Sequence, residues 1–304
     1  MTIVSTSAFY ERATTDINTL RQRAEQLQSQ VSSGERLTRS SDDPVAAARL
    51  RVLSRADGMS KVNVANANRA NSDLTLADGA LQEIADNVIK ARELATQAAT
   101  GTLNAEQWSA IGEQIAGIRQ NLIALANSKD SAGHALFGGE GAGAAYTLDG
   151  SGNPIYAGTA SAGELPLGDG QSVTRGVTGP EVFNFSVNGG ATDLFAVLGN
   201  LAAALQGGSS DPQGAANDAL TALGSGLDKV TTTQTVVGTR MNWVDANLDR
   251  HTRQGETRAT EEKNVGGVDP ASALTEMQQI MTILEASQAS FVKLANMSLF
   301  DMIR

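Results

Sequence analysis

Cysteine is absent from the 304 residues. That excludes disulfides, thiolate nucleophiles and Cys-ligated metal, and leaves the redox compartment unread. Histidine occurs only at His134 and His251, far apart in sequence and each among polar neighbours. The pair therefore reads as solvated surface, not as ligands or catalytic bases. Aromatics make up 4% of the chain, so any core must be built from Ala, Leu, Ile and Val, which suits close helix packing. No stretch approaches eighteen consecutive apolar residues, so no membrane span is expected. Basic residues number 23 against 33 acidic, a net charge of −10, which argues against a nucleic-acid partner because phosphate contacts need a basic face. Residues 1–12 lack a basic segment followed by an apolar one, so no ordinary cleaved signal peptide is expected.

Two apolar stripes dominate what is present. Ile3, Thr6, Tyr10, Ala13, Ile17, Leu20, Ala24, Leu27 and Val31 alternate in steps of three and four, the a/d seam of a helix that packs along another. Leu274, Met277, Met281, Leu284, Gln288, Phe291, Ala295 and Ser298 keep the same alternation at the other end, with Ile280, Ile283 and Leu294 as a second row. The simplest partner for each stripe is the other. The blander reading makes both ordinary core helices of one globule.

Six prolines punctuate the chain. Asp43-Pro44, Asp211-Pro212 and Asp269-Pro270 each precede a helical pattern, with Asp as the cap and Pro in the first turn, where a missing N–H costs nothing. The first helix is expected from about Ser7 to Ser33, ended by Gly34 at a left-handed C′ position. A second runs from Pro44 to about Ala99, roughly 80 Å at 1.5 Å per residue, and Gly101 ends it. Asn104 with Gln107 forms a capping box for a third, which carries Trp108, Ile111, Ile115, Ile118, Leu122 and Leu125 and should fold back on the second.

Eighteen of the 31 glycines and the other three prolines lie between Gly133 and Gly208. With β-prone runs at 145–148 and 182–187, this predicts a small β insert, holding one short helix at 194–205. Helix resumes from Pro212 to about Lys263. The segments 34–43 and 264–269 read as hinges. The expected fold is therefore mainly α: a long antiparallel helical bundle or coiled coil from both chain ends, with a Gly-rich, mainly β domain inserted in the middle. The expected organisation is 1–40 (N-terminal helix of a two-helix terminal domain), 41–132 (helical rod), 133–210 (β insert), 211–264 (returning helix) and 265–304 (C-terminal helix).

Enzyme-like constellations are weak. Gly138 to Gly143 is glycine-rich but does not open a helix, so it reads as a flexible turn and not as a phosphate cradle. Asp42 and Asp43 are better explained as caps than as a metal pair. Asn184-Phe185-Ser186 and Asn296-Met297-Ser298 match a glycosylation pattern that short motifs meet by chance. No catalytic, cofactor-binding or metal-binding residue is assigned, and no enzyme is expected. The stripes remain, and for a self-assembling subunit packing is the function. The candidate assembly residues are Ile3, Tyr10, Ile17, Leu20, Leu27, Val31, Leu274, Met277, Met281, Leu284, Phe291, Leu299 and Phe300. The candidate helix caps are Asp43, Pro44, Asp211, Pro212, Asp269 and Pro270.

Several motifs carry a family resemblance. Val31-Ser32-Ser33-Gly34-Glu35-Arg36-Leu37, followed by Ser41-Asp42-Asp43-Pro44-Val45-Ala46-Ala47-Ala48, is similar to the N-terminal signature of the flagellin family of bacterial axial proteins. Arg92 to Leu103 resembles the end of the family's central helix, and Val237-Gly238-Thr239-Arg240 the start of its returning helix. The likeness covers roughly 1–139 and 230–304. The tail from Leu284 to Phe291, leading to Met297-Ser298-Leu299-Phe300-Asp301, is closer to the hook-associated branch that joins hook to filament. Met302-Ile303-Arg304 echoes the ending of filament flagellin. The resemblance implies an exported, extracellular subunit of the flagellum that self-associates in a ring or tube. It would meet a neighbouring hook-associated protein and flagellin, and be held by a cytoplasmic export chaperone before type III export. Filament flagellin is the alternative within the family, and a helical-stalk adhesin binding through 133–208 the alternative outside it.

Overall fold

The computed structural model describes residues 6–100, 102–130 and 132–301, with side chains there except at 6, 7, 9 and 294–301. Gly101, named above as a helix end, lies outside the described residues. In order, the elements are α1 (Thr6–Ser33), α2 (Pro44–Ala99), α3 (Ala105–Ala126), β1 (Tyr146–Leu148), β2 (Pro154–Tyr156), β3 (Glu164–Gly168), β4 (Gln171–Thr174), α4 (Gly179–Phe183), β5 (Asn184–Val187), β6 (Gly190–Asp193), α5 (Leu194–Ala203), α6 (Pro212–Gly266) and α7 (Pro270–Asp301). The fold is the mainly helical one expected, with long helices from both ends and a few short antiparallel strands in the middle.

The chain divides into two compact units, Met59–Thr252 and Met1–Gly58 with Arg253–Arg304. The first is built on one continuous core. On α2, Leu74, Leu81, Ile84, Val88 and Ala95 are buried, matched by Ile111, Ile115 and Leu122 on α3 and by Val230, Val237 and Val244 on α6. The middle segment adds its own apolar side chains to this same core. Phe183 lies between Tyr146 and Phe195, with ring centroids 5.6 and 4.6 Å away. Phe137 meets Phe183 edge-on at 6.1 Å. Scarce as they are, four aromatics concentrate within the insert, in the same buried cluster as the helix side chains.

Three separate hairpins, β1–β2, β3–β4 and β5–β6, make up the sheet content of the described residues. Local chemistry places the helix starts around them. Asn104 and Gln107 complete the reciprocal capping box of α3, each side chain 2.9 Å from the other's backbone N–H. Asp193 caps α5 through the Ala196 N–H at 2.9 Å. Gly112 lets α3 and α5 approach closely, since a Cβ there would sit 3.1 Å from the Ala202 carbonyl oxygen.

Two expectations fail in this unit. His251 is not solvated: it is 5% exposed, and Nε2 lies 2.6 Å from the Leu167 carbonyl oxygen. The cause is a bulge in β3. Pro166 pairs with Ser172 and Gly168 with Gln171, which leaves Leu167 outside the ladder register and its carbonyl directed to the histidine. Gly138 and Gly139 are buried, not a flexible surface turn. The backbone there is pinned, with Thr159 N donating to Gly138 O at 3.0 Å and Glu140 N to Thr159 Oγ1 at 2.7 Å.

Candidate assembly site

The other unit pairs the two chain ends. α1 and α7 run antiparallel, so that Arg23 meets Glu276 near one end and Tyr10 meets Phe291 near the other. Leu27, Ala273 and Ile280 are buried between them, with Leu20, Ala24, Val31, Val268 and Met277 packed around. Arg23 holds one Glu276 oxygen through Nε and Nη2, at 3.1 and 3.0 Å. That exposed ion pair contributes well under about 1 kcal/mol. Apolar burial along the seam holds the pair together.

The seam on α7 differs from the expected one by a residue at alternate turns. Ala273, Met277, Ile280, Leu284, Ser287 and Phe291 turn inward, while Leu274 and Met281 stay 41% and 48% exposed. Both frames share 277, 284 and 291, so periodicity alone does not separate them. Small Ala273 at the root permits closer approach of α1 than Leu274 would. Tyr10, Ile17, Leu20 and Val31 are half-buried and Leu27 is buried. Ile3 lies outside the described residues, as do the side chains of Leu299 and Phe300.

At the root of the pair, the expected hinges are stitched to each other. Gly34 takes φ +74°, its N–H donating back to Gln30 O at 2.9 Å, so α1 ends in the left-handed turn glycine favours. Glu35 and Gly267 form an antiparallel bridge, closed by Arg36 N to Gly266 O at 2.7 Å and Val268 N to Gly34 O at 3.0 Å. The Arg36 N–H serves the terminal Gly266 carbonyl and the Gly267 N–H that of Lys263, and α6 persists to Gly266, three residues beyond expectation.

The caps fall at the helix starts. Asp43 Oδ1 accepts from Ala46 N at 3.0 Å, ahead of Pro44. Asp211 accepts from Gly214 N at 2.8 Å, ahead of Pro212. Asp269 accepts from Ala271 N at 3.1 Å and from the Ser272 hydroxyl at 2.7 Å, ahead of Pro270. Asp42 turns the other way, accepting from the N–H groups of Thr38 and Arg39. Backbone donation holds the carboxyls of Asp42 and Asp43 below the usual range, led by Arg39 and Ala46 respectively. For Asp269 the Ser272 hydroxyl leads. Such groups are satisfied as anions by the chain itself. No cluster of three or more His, Asp or Glu suited to a metal ion occurs among the described residues.

Outside the seam, α7 carries further exposed apolar side chains at Leu274, Met281, Ile283 and Val292. The inward side of the pair is closed within one chain, so these outward rows are free for another surface. Sequence reasoning missed Arg36, which the resemblance motif contained without a role.

A family model described as the bacterial flagellin N-terminal helical region matches residues 4–142. Flagellar hook-associated protein 3 of Salmonella typhimurium is 27% identical over 322 residues, spanning 99% of this chain and 99% of its own. Flagellin A of Vibrio cholerae is 29% identical over 157 residues, 50% of this chain and 39% of its own. A solved flagellar hook-associated protein from Vibrio parahaemolyticus shares the fold, with a TM-score of 0.68 at 21% identity over 74% of this chain and 100% of that one.

Proposed function

We propose that this chain, which carries the flagellin N-terminal helical region and is similar to hook-associated protein 3 along its whole length, is a structural subunit of the bacterial flagellum that joins hook to filament. The carrying observation is the α1–α7 pair: its inner seam is closed within one chain while Leu274, Met281, Ile283 and Val292 stay outside it. A two-helix pair buries little apolar area by itself, and packing outward rows against sibling subunits supplies what it lacks. Tyr10, Ile17, Leu20, Leu27 and Val31 set the shape of the pair, and the outward α7 residues meet neighbours in a ring or tube. No step of this role needs bond chemistry, a cofactor or a metal, so the chain is read as a non-enzyme.

Location and partners follow from the same reading. The subunit works outside the cell on the flagellum, between a neighbouring hook-associated protein and flagellin, after type III export with a cytoplasmic chaperone. The terminal pair forms one assembly domain from residues 1–40 and 265–304. The test is deletion of residues 1–30, which should abolish attachment of filament to hook while the remaining chain still folds. Filaments growing normally on such cells would end the proposal. Filament flagellin is the second reading, and its similarity stops at about half of the chain. Immunogold labelling of sheared flagella separates the two: a single band at the base for a junction subunit, label along the shaft for flagellin.

A further inference from the structure

Three helix ends converge on Arg36, and the lead into a fourth begins one residue from it. Its backbone N–H donates to Gly266 O at 2.7 Å, and its Nη2 donates to Val265 O at 3.0 Å. Both acceptors belong to the last turn of α6, where carbonyls have no intrahelical donor. The same Nη2 reaches Asp43 Oδ2 at 3.0 Å, the residue that caps α2. The Arg36 carbonyl accepts from Gln30 Nε2 at 2.6 Å, and Gln30 is a buried residue in the last turn of α1. One residue away, the Glu35–Gly267 bridge leads through Val268 into α7.

We infer that Arg36 is a positioning residue for assembly: it clasps the ends of α1 and α6 and the cap of α2, and so fixes the root from which α1 and α7 pair. The buried cluster of Leu27, Ala273 and Ile280 lies directly beyond this clasp, and Val268 belongs to both. Helix pairing is cheapest to extend from a turn already ordered, because the ordering entropy is concentrated in the first contacts. The clasp supplies that start and sets which faces of α1 and α7 meet. Arg36 is 44% exposed in its side chain, so its ion pair with Asp43 is weak. The guanidinium acts through the α6 carbonyl and the α2 cap held together, not through charge attraction alone.

The inference rests on the assembly reading for its purpose, but its test does not. Backbone hydrogen exchange is measured on the unassembled full-length chain and on Arg36→Met, Arg36→Lys and Arg51→Ala. Methionine keeps the apolar stem and loses the donor. Lysine keeps one charged nitrogen able to serve both Val265 O and Asp43. Arg51→Ala controls for loss of an exposed cation on α2. R36M should speed exchange at Arg36 and Val268, and along 24–31 and 273–280, by tenfold or more, with 59–252 unchanged within twofold. R36K should recover most of the protection, and R51A should match the parent chain. Unchanged exchange in R36M, identical behaviour of R36M and R36K, or equal acceleration across 59–252 would each overturn the clasp. Loss of ring formation in the parent chain would instead count against the assembly reading and leave the clasp standing.

Discussion

The ring of Tyr10 meets that of Phe291 edge-on, with centroids 5.3 Å apart and planes at 87°. This contact ties the far end of the α1–α7 pair, as the Leu27–Ile280 cluster ties its root. An edge-to-face pair is worth about 0.5–1.5 kcal/mol beyond its area. Phe291→Ala should therefore loosen 10–20 and 284–293, seen as exchange faster by about two- to thirteenfold for that energy. The melting of the 59–252 unit should not move. Protection at 10–20 unchanged by the substitution would place the stability of this end elsewhere.

Ile280 and Leu274 test the seam directly, because periodicity put Leu274 on the seam and Ile280 in the row beside it, and burial reverses the two. Ile280 is 8% exposed and Leu274 41%. Ile280→Ala should destabilise the terminal pair of the isolated chain by about 2–4 kcal/mol, as large-to-small changes in a packed site do. Leu274→Ala should cost the isolated chain less than about 0.5 kcal/mol yet weaken subunit association. Urea unfolding followed by a probe on α1, with sedimentation of assembled material, reads both. Equal effects of the two variants on the monomer would refute the observed frame.

The helices and their starts were legible because their signals are local: a 3.5-residue period, Asp-Pro steps, and a capping box spanning three residues. Gly34 announced its own turn. The α7 frame was ambiguous because 273/280 and 274/281 both offer apolar residues beside the shared positions 277, 284 and 291. His251 looked solvated because its partner, the Leu167 carbonyl, is freed by a bulge 84 residues away. Gly138 and Gly139 looked flexible because their ordering contacts come from Thr159. Arg36 shows the same limit. Two of its acceptors sit at residues 265 and 266, and nothing near Arg36 in the chain announces them. Distant backbone acceptors leave no period or motif to read.

Phe183 sits at the centre of the insert's aromatics, fully buried against Phe137, Tyr146 and Phe195, within the buried cluster the insert shares with the helices. Phe183→Ala should cost about 3–5 kcal/mol, lowering the urea midpoint of the 59–252 unit in one cooperative step. The terminal pair should keep its exchange pattern. If the variant instead melts in two steps, with the helices surviving loss of the insert, the insert has a core of its own and the shared-core description fails.

Asp73 reverses the usual acid response of a carboxylate. It lies on α2, 14% exposed in its side chain, with Oδ2 buried and lacking a hydrogen-bond partner. Arg175 Nε stands 4.0 Å away, too far for a hydrogen bond. Burial raises its pKa above the ordinary 3.8, outweighing the attraction of Arg175, and Asp130 pushes the same way. The folded state therefore disfavours the carboxylate relative to the unfolded chain. That penalty is absent below the unfolded value, grows as pH rises through it, and is complete above the raised folded value. Asp43 has the opposite sign: the Ala46 N–H leads in lowering its pKa, so its contribution is present above 3.8 and lost as pH falls through the lower folded value. Asp73→Asn should accordingly gain stability relative to the parent chain as pH rises from about 3 to about 7, and Asp43→Asn should lose it over the same range. Urea unfolding of both variants across that range gives the two slopes. A flat difference for Asp73→Asn would mean that the carboxylate is as well solvated in the folded chain as in the unfolded one.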